Sequence, residues 1–253
     1  MNTECSTGLI KLKRGRTIEI LGKLESVSKA GKSIYLPPGS ANDSLSPDID
    51  TNLPDQLKKA ARKSATGFVL FLNVETDFIQ FTLVIPPFPV HAKTVVEYID
   101  IQPLEELIST DYLTGVILVR MGSFAVGVVR GDKIISSKIS GGCIHGRHRQ
   151  GGSSAARFAR HREKQIEQFF TRACGYTREH IEPCAHELDY IIYGGAWTTI
   201  NAFKKQCSVL SRITTPELAP LLDIGQPRQQ VLGEAVTLMY SSRVAQWRQA
   251  KST

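Results

Sequence analysis

Nineteen residues in the middle of this chain, Gly146 to Lys164, hold six basic side chains and one acid. They begin inside a glycine-rich stretch, Gly141-Gly142-Cys143-Ile144-His145-Gly146-Arg147-His148-Arg149-Gln150-Gly151-Gly152. Five glycines in twelve residues exclude a stable helix or strand interior, so a loop is expected. Arg147, His148 and Arg149 on such a backbone can follow a curved phosphate chain closely, because glycine offers no side-chain clash. A helix carrying Arg157, Arg160 and Lys164 on one face would extend the same contact, and together these cations suit RNA backbone recognition. A basic loop with no nucleic-acid partner is the other reading, and composition alone does not separate the two. No Gly-Lys-Ser/Thr ends the loop, which excludes a phosphate-cradling Walker A turn, and no G-x-G-x-x-G follows a strand.

The elements that must position these cations follow from periodicity. With Phe158 at 0° and about 100° per residue, Ala155, Ala159, Ile166, Phe169, Phe170 and Ala173 fall between about 0° and 120°. Arg157, Arg160 and Lys164 fall on the opposite side, at about 200° to 260°. An amphipathic helix is therefore expected, with Ser153 or Ser154 as its N-cap and Arg162 inside the apolar stripe, where its head must snorkel or find a partner. Upstream, 115–120, 123–130 and 133–139 read as strands joined by the short turns Met121-Gly122 and Gly131-Asp132, an antiparallel meander. Downstream, Tyr190 to Tyr193 reads as a buried strand, Gly194-Gly195-Ala196 as a turn and 198–206 as a helix. A last helix is expected over 229–249. Trp197 is expected to pack over the strand end. Near the start, 68–74 and 78–85 read as a β-hairpin, 57–65 and 104–108 as helices, and 36–56 as a Pro/Ser/Asp-rich loop. The LIKLKRGRTIEIL segment reads as an edge strand or a short helix.

The order of residues narrows the chemistry. Gly151-Gly152-Ser153-Ser154-Ala155-Ala156-Arg157-Phe158-Ala159-Arg160-His161-Arg162 resembles the Gly-Gly-Gln loop and helix of eukaryotic and archaeal class I peptide-chain release factors, which read GGQSALRFARLR. It is also similar to the Vms/ANKZF-type release-factor-like peptidyl-tRNA hydrolases, where QGGSQS occupies this place and Gln150-Gly151-Gly152-Ser153 matches its start. The Tyr190-Ile191-Ile192-Tyr193-Gly194-Gly195-Ala196 string is similar to the strand and glycine turn of the same domain. The resemblance covers roughly 112–245. It implies a domain that inserts its loop into the peptidyl-transferase centre of the large ribosomal subunit, meets rRNA there, and hydrolyses the ester of peptidyl-tRNA on stalled nascent chains. In such families the glutamine after Gly-Gly positions the attacking water, and its backbone N–H stabilises oxyanion charge. This chain departs at that point: one register puts Ser153 in the glutamine position, the other Ser154, and Gln150 lies before the glycines. The site implied is Gln150, Gly151, Gly152, Ser153 and Ser154 for hydrolysis, with Arg147, His148, Arg149, Arg157, Arg160 and Lys164 for RNA. A ribosome- or tRNA-binding factor without catalysis and an RNA endonuclease on the same scaffold remain open beside it.

Charge and composition frame this reading. The 253 residues carry a formal net charge of +7, with 42 % apolar and 22 % charged residues, an ordinary globular composition. The charge is uneven: 43–111 hold five basic and eleven acidic residues, upstream of the basic stretch. An α/β (α+β) fold is expected, with a smaller α/β domain over 1–110 and a release-factor-like domain with a mixed β-sheet and flanking helices over 111–253. No apolar run approaches a membrane span and no secretory-type segment is present, so no membrane partner and a cytoplasmic location are expected. Five cysteines without regular spacing read as reduced thiols, with Cys174 and Cys207 in the core. Cys143-x-His145 and Cys184-x-His186 do not fit zinc-ligand spacing, so no metal and no cofactor are expected.

Overall fold

The computed structural model describes residues 8–27, 30–40, 53–142, 144 and 155–251. The chain divides into two compact units, Met1–Thr110 with Tyr240–Thr253, and Asp111–Met239. The last fourteen residues therefore belong with the N-terminal unit, where a single second module over 111–253 was expected.

The first unit is an antiparallel sheet sandwiched by helices. Its elements are β1 (Ile10–Leu12), α1 (Arg14–Val27), β2 (Gly31–Leu36), α2 (Asp55–Arg62), β3 (Phe68–Val74), β4 (Phe78–Ile85), β5 (Thr94–Val96) and α3 (Gln102–Ser109). The basic-apolar segment at the start forms both a strand and a helix, so the two expected alternatives occur in succession. The expected hairpin is present, with Val69 opposite Val84 and Val74 opposite Ile79. Both faces are covered, which is why β3 reads as an almost unbroken apolar run. Phe68, Leu70 and Leu72 pack with Leu57 and Ala61 of α2. Val69 and Phe71 pack with Leu21 and Leu24 of α1 and Leu104 and Ile108 of α3.

The expected helix over 229–249 is overturned in its second half. A helix runs from Gln229 to Met239, and Ser242–Ala250 is a strand, here β11. It inserts between β1 and β4, pairing Arg243 with Ile85 through to Ala250 with Phe78. Trp247 then stacks on Phe81, with ring centroids 5.1 Å apart and planes at 4°. The competing stabilisation is non-local: β4 offers an open ladder edge that a helix could not use.

The second unit is a mixed five-stranded sheet with helices, as the α+β expectation had it. Its strands are β6 (Leu113–Arg120), β7 (Ser123–Arg130), β8 (Lys133–Gly141), β9 (Tyr190–Gly194) and β10 (Glu217–Leu222), in the order β10-β9-β6-β7-β8. β10, β9 and β6 run parallel, while β6, β7 and β8 form the antiparallel meander. The helices are α4 (Ala155–His180), α5 (Trp197–Gln206) and α6 (Gln229–Met239). One sheet face, with Ile117, Val119, Phe124, Val126 and Ile191, is covered by Phe169, Phe170 and Ala173 of α4 and by Ile200 and Phe203 of α5. No helix among the described residues is long and apolar enough to cross a membrane.

Candidate nucleic-acid interface

The site is built on α4. Its core-facing half is fixed by aromatic packing: the Phe169 ring lies 5.6 Å from Phe124 of β7, and the Phe170 ring 5.7 Å from Phe203 of α5. Further along, Thr177 and Ile181 are fully buried. The C-terminal end of α5 grips the same stretch of α4. Gln206 Nε2 donates to the Glu167 carbonyl at 2.9 Å and to Thr171 Oγ1 at 3.2 Å. Cys174 and Cys207 are joined by a disulfide with Cα atoms 5.2 Å apart. Both lie in the core as expected, but the expectation of reduced thiols is overturned. The α4–α5 seam brings their side chains face to face, a juxtaposition that spacing in the chain does not reveal.

The other half of α4 stands clear of the sheet. Gly142, just past β8, donates its N–H to the Gly122 carbonyl at 2.9 Å and sits against Arg172 and Phe169. That contact marks where α4 reaches the sheet edge. From Ala155 to Phe169 the helix rises about 21 Å, at about 1.5 Å per residue. Every residue from Ala156 to His161 is exposed, including Arg157 and Arg160, and Lys164 is exposed as well. These three cations lie at i, i+3 and i+7, so they share one helix face, as the sequence spacing had placed them. Arg162 is half-buried on the other side of the helix.

The apolar stripe does not stay covered along this projection. Ile166 packs against the core, but Phe158 is 53 % exposed and Ala159 is exposed. Phe158 and Ala159 stay exposed where the helical spacing had placed them on the packed face. The projecting tip thus offers an aromatic ring and cations together.

Gln150, Gly151, Gly152, Ser153, Ser154, Arg147, His148 and Arg149 lie outside the described residues, and so do the expected N-cap and the Cys143-x-His145 pair. Their chain connects Gly142 and Ile144 at the sheet edge to the projecting end of α4. Cys184 of the other cysteine–histidine pair is a half-buried thiol, 3.4 Å from the Ile181 carbonyl, and burial pushes its pKa up. His186 beside it lies 3.5 Å from Glu187 on the exposed surface. Among the described residues no group of three or more His, Cys, Asp or Glu could hold a metal.

The strand–glycine–helix string beside α4 has a steric cause. A Cβ on Gly194 would lie 2.7 Å from Leu118 Cδ2. At Gly195, with φ +126°, a Cβ would lie 2.1 Å from the Val119 carbonyl oxygen. The chain leaves β9 pressed against β6 and enters α5 at once. Trp197, the first residue of α5, is 68 % exposed, so its expected packing over the strand end does not occur. Thr199, Ile200 and Phe203 bury the helix instead. Lys204 is committed inside the unit: it pairs with Glu217 and lies 3.8 Å from the Tyr193 ring centroid. Burial, with Glu217 nearby, pushes the Tyr193 phenol far above its ordinary pKa. Sequence reasoning had not singled out Arg172, an exposed cation where the loop departs. Its signal was present as a further basic residue at i+8 from Lys164, beyond the dense basic run.

Fold and surface together define an α+β protein whose second unit projects a basic helix tip from a mixed sheet. Residues 113–245 match the family described as the Actinobacteria/chloroflexi VLRF1 release factor, and the chain belongs to that family. It is 28 % identical over 161 residues to peptide chain release factor subunit 1 of Archaeoglobus fulgidus, covering 64 % of this chain and 39 % of that protein. It is 33 % identical over 138 residues to the subunit of the same name from Methanococcus maripaludis, covering 52 % of this chain and 32 % of that one. The chain therefore spans only about a third to two fifths of the length of these curated relatives. Among solved structures it is similar to a crystal structure of the archaeal translation termination factor aRF1. That likeness has a TM-score of 0.38 and 17 % identity, and it covers 90 % of this chain and 73 % of that one.

Proposed function

We propose that this protein is a peptidyl-tRNA hydrolase that acts in the cytoplasm, on the large ribosomal subunit, and releases nascent peptides from stalled complexes. The observation that carries this reading is the exposed Arg157, Arg160 and Lys164 face at the N-terminal half of α4, the helix that Gly151-Gly152 precede in the sequence. A narrow RNA-walled tunnel admits a slim helix end with phosphate-pairing cations, and excludes a site set flush in a sheet. Membership of a release-factor family supports the same reading.

In the proposed reaction a water oxygen attacks the carbonyl carbon of the ester between peptide and tRNA. The bond from that carbon to the ribose oxygen breaks, the ribose oxygen takes up a proton, and the products are a free peptide acid and a deacylated tRNA. The backbone N–H of Ser153 or Ser154 would stabilise the developing oxyanion, a role any residue except proline can fill. Gln150, Ser153 or Ser154 would hold the attacking water. Arg147, His148, Arg149, Arg157, Arg160 and Lys164 would pair with rRNA or tRNA phosphates.

The test mixes the full-length protein with stalled ribosome–peptidyl-tRNA complexes and follows free peptide. Release that disappears in the Gly151→Ala/Gly152→Ala variant is the expected result. The serine at the glutamine position favours one second reading, a binding factor without catalysis. Salt-sensitive ribosome binding with no release by the wild type, and release only after Ser153→Gln or Ser154→Gln, would select that reading.

A further inference from the structure

The first unit carries a cavity of about 290 Å³ between α1 and the sheet. Its floor follows from the register of β3, β4 and β11. Successive cross-strand rows on that face are Val69–Val84–Val244, then Phe71–Thr82–Gln246, then Asn73–Gln80–Arg248. The first row packs into the core beneath α1 and α3, whereas the third is wholly polar. Sheet faces beneath a helix are normally apolar, because a buried amide without a partner is costly.

Asn73 bears that cost. It is 2 % exposed, its Nδ2 donates to Glu75 at 3.1 Å, and its Oδ1 has no hydrogen-bond partner. Asn73, Gln80 and Gln246 line the cavity from the sheet side, and Gln246 Nε2 is held toward Thr82 Oγ1 at 3.1 Å. Ile20 and Leu24 of α1 form the apolar wall, and Arg16 and Lys23 line the cavity from the same helix. Both cations pair with Glu19, which leaves the triplet with one net positive charge.

We infer that this cavity binds a nucleotide. The slot between an apolar helix wall and a carboxamide floor suits the flat face and hydrogen-bonding edge of a base. Asn and Gln carboxamides read base edges by paired donor and acceptor contacts. The base edge would meet the Gln80 and Gln246 carboxamides, which line the cavity beside Asn73. The phosphate would lie toward Lys23 and Arg16. A free amino acid would leave much of the volume empty, and a simple anion would leave the amide floor unused. The nucleotide comes either free or as one residue of an RNA strand.

The test uses full-length protein carrying Arg157→Ala, Arg160→Ala and Lys164→Ala, so that the α4 cations do not contribute. It is titrated by calorimetry with AMP, GMP, CMP and UMP, with a short single-stranded RNA, and with inorganic phosphate. Saturable one-to-one binding of a mononucleotide or of the RNA is expected, with phosphate alone not binding. Gln80→Ala or Lys23→Ala should each weaken it roughly tenfold without lowering the melting temperature. Binding of mononucleotides identifies a free ligand, and binding of RNA alone identifies a strand. Nucleotides and RNA that bind no better than phosphate, or titrations unchanged by Gln80→Ala and Lys23→Ala, would overturn the inference.

Discussion

Gly195 and Trp197 show how little separates a structural residue from an exposed one. Gly195 holds φ +126° with the Val119 carbonyl where a Cβ would go, so Gly195→Ala should cost about 1–3 kcal/mol or more in chemical denaturation. Two positions on, Trp197→Ala should change stability by only about 0.5 kcal/mol, because the indole is 68 % exposed. The glycine pair was legible as a turn, since its neighbours read as strand and helix. The direction of the indole was not, because it depends on Thr199, Ile200 and Phe203 claiming the buried side of α5. The cysteines fall between these cases. Their place in the core was readable from apolar neighbours, whereas the Cys174–Cys207 bond depends on how two helices meet.

At the scale of the element, α4 was read correctly as an amphipathic helix and incorrectly as one packed along its whole length. The 3.6-residue period gives the direction of a stripe, not where the surface that covers it ends. Phe158 and Phe169 share the stripe, yet Phe169 is 0 % exposed and Phe158 is 53 % exposed. Phe169→Ala should therefore lose about 3–5 kcal/mol, and Phe158→Ala about 0.5 kcal/mol at most, by the same denaturation measurement. The cation face makes a separate prediction. Arg157→Ala/Arg160→Ala/Lys164→Ala should leave the melting curve nearly unchanged. It should lower the slope of log affinity for ribosomes against log salt by about 2 to 3, since each phosphate contact released adds close to one. The strand β11 was missed for another reason. Its stabilisation comes from a ladder with β4 more than 150 residues earlier in the chain, and nothing local to Ser242–Ala250 announces that partner.

For the whole molecule, a net charge of +7 said little until it was located. The basic surplus lies on a helix tip and its loop in one unit, while the acid-rich stretch builds most of the other. The first unit is completed by the strand Ser242–Ala250 near the end of the chain, which makes its integrity testable. Removing 242–253 takes the strand between β1 and β4 out of the first sheet. Amide hydrogen exchange in the truncated protein should rise across β1 to β5, while β6 to β9 remain protected. The β3–β4 hairpin, the β6–β7–β8 meander and β9 were legible, because hairpin turns and apolar runs are local signals, whereas β2, β5 and β10 were not singled out. The assignment of the C-terminus to the N-terminal unit was not, because it rests on a pairing between the two ends of the chain.

The proposed ester hydrolysis depends on Gly151-Gly152, the pair that precedes α4 in the sequence. It is tested most directly by a single-turnover assay on stalled ribosome–peptidyl-tRNA complexes that reads peptide and tRNA separately. Wild-type protein should yield free peptide and intact deacylated tRNA, Gly151→Ala/Gly152→Ala should yield neither, and Arg157→Ala/Arg160→Ala/Lys164→Ala should need more protein to reach the same release. Peptidyl-tRNA that stays intact with wild-type protein bound, or tRNA cut within its own chain, would contradict the account.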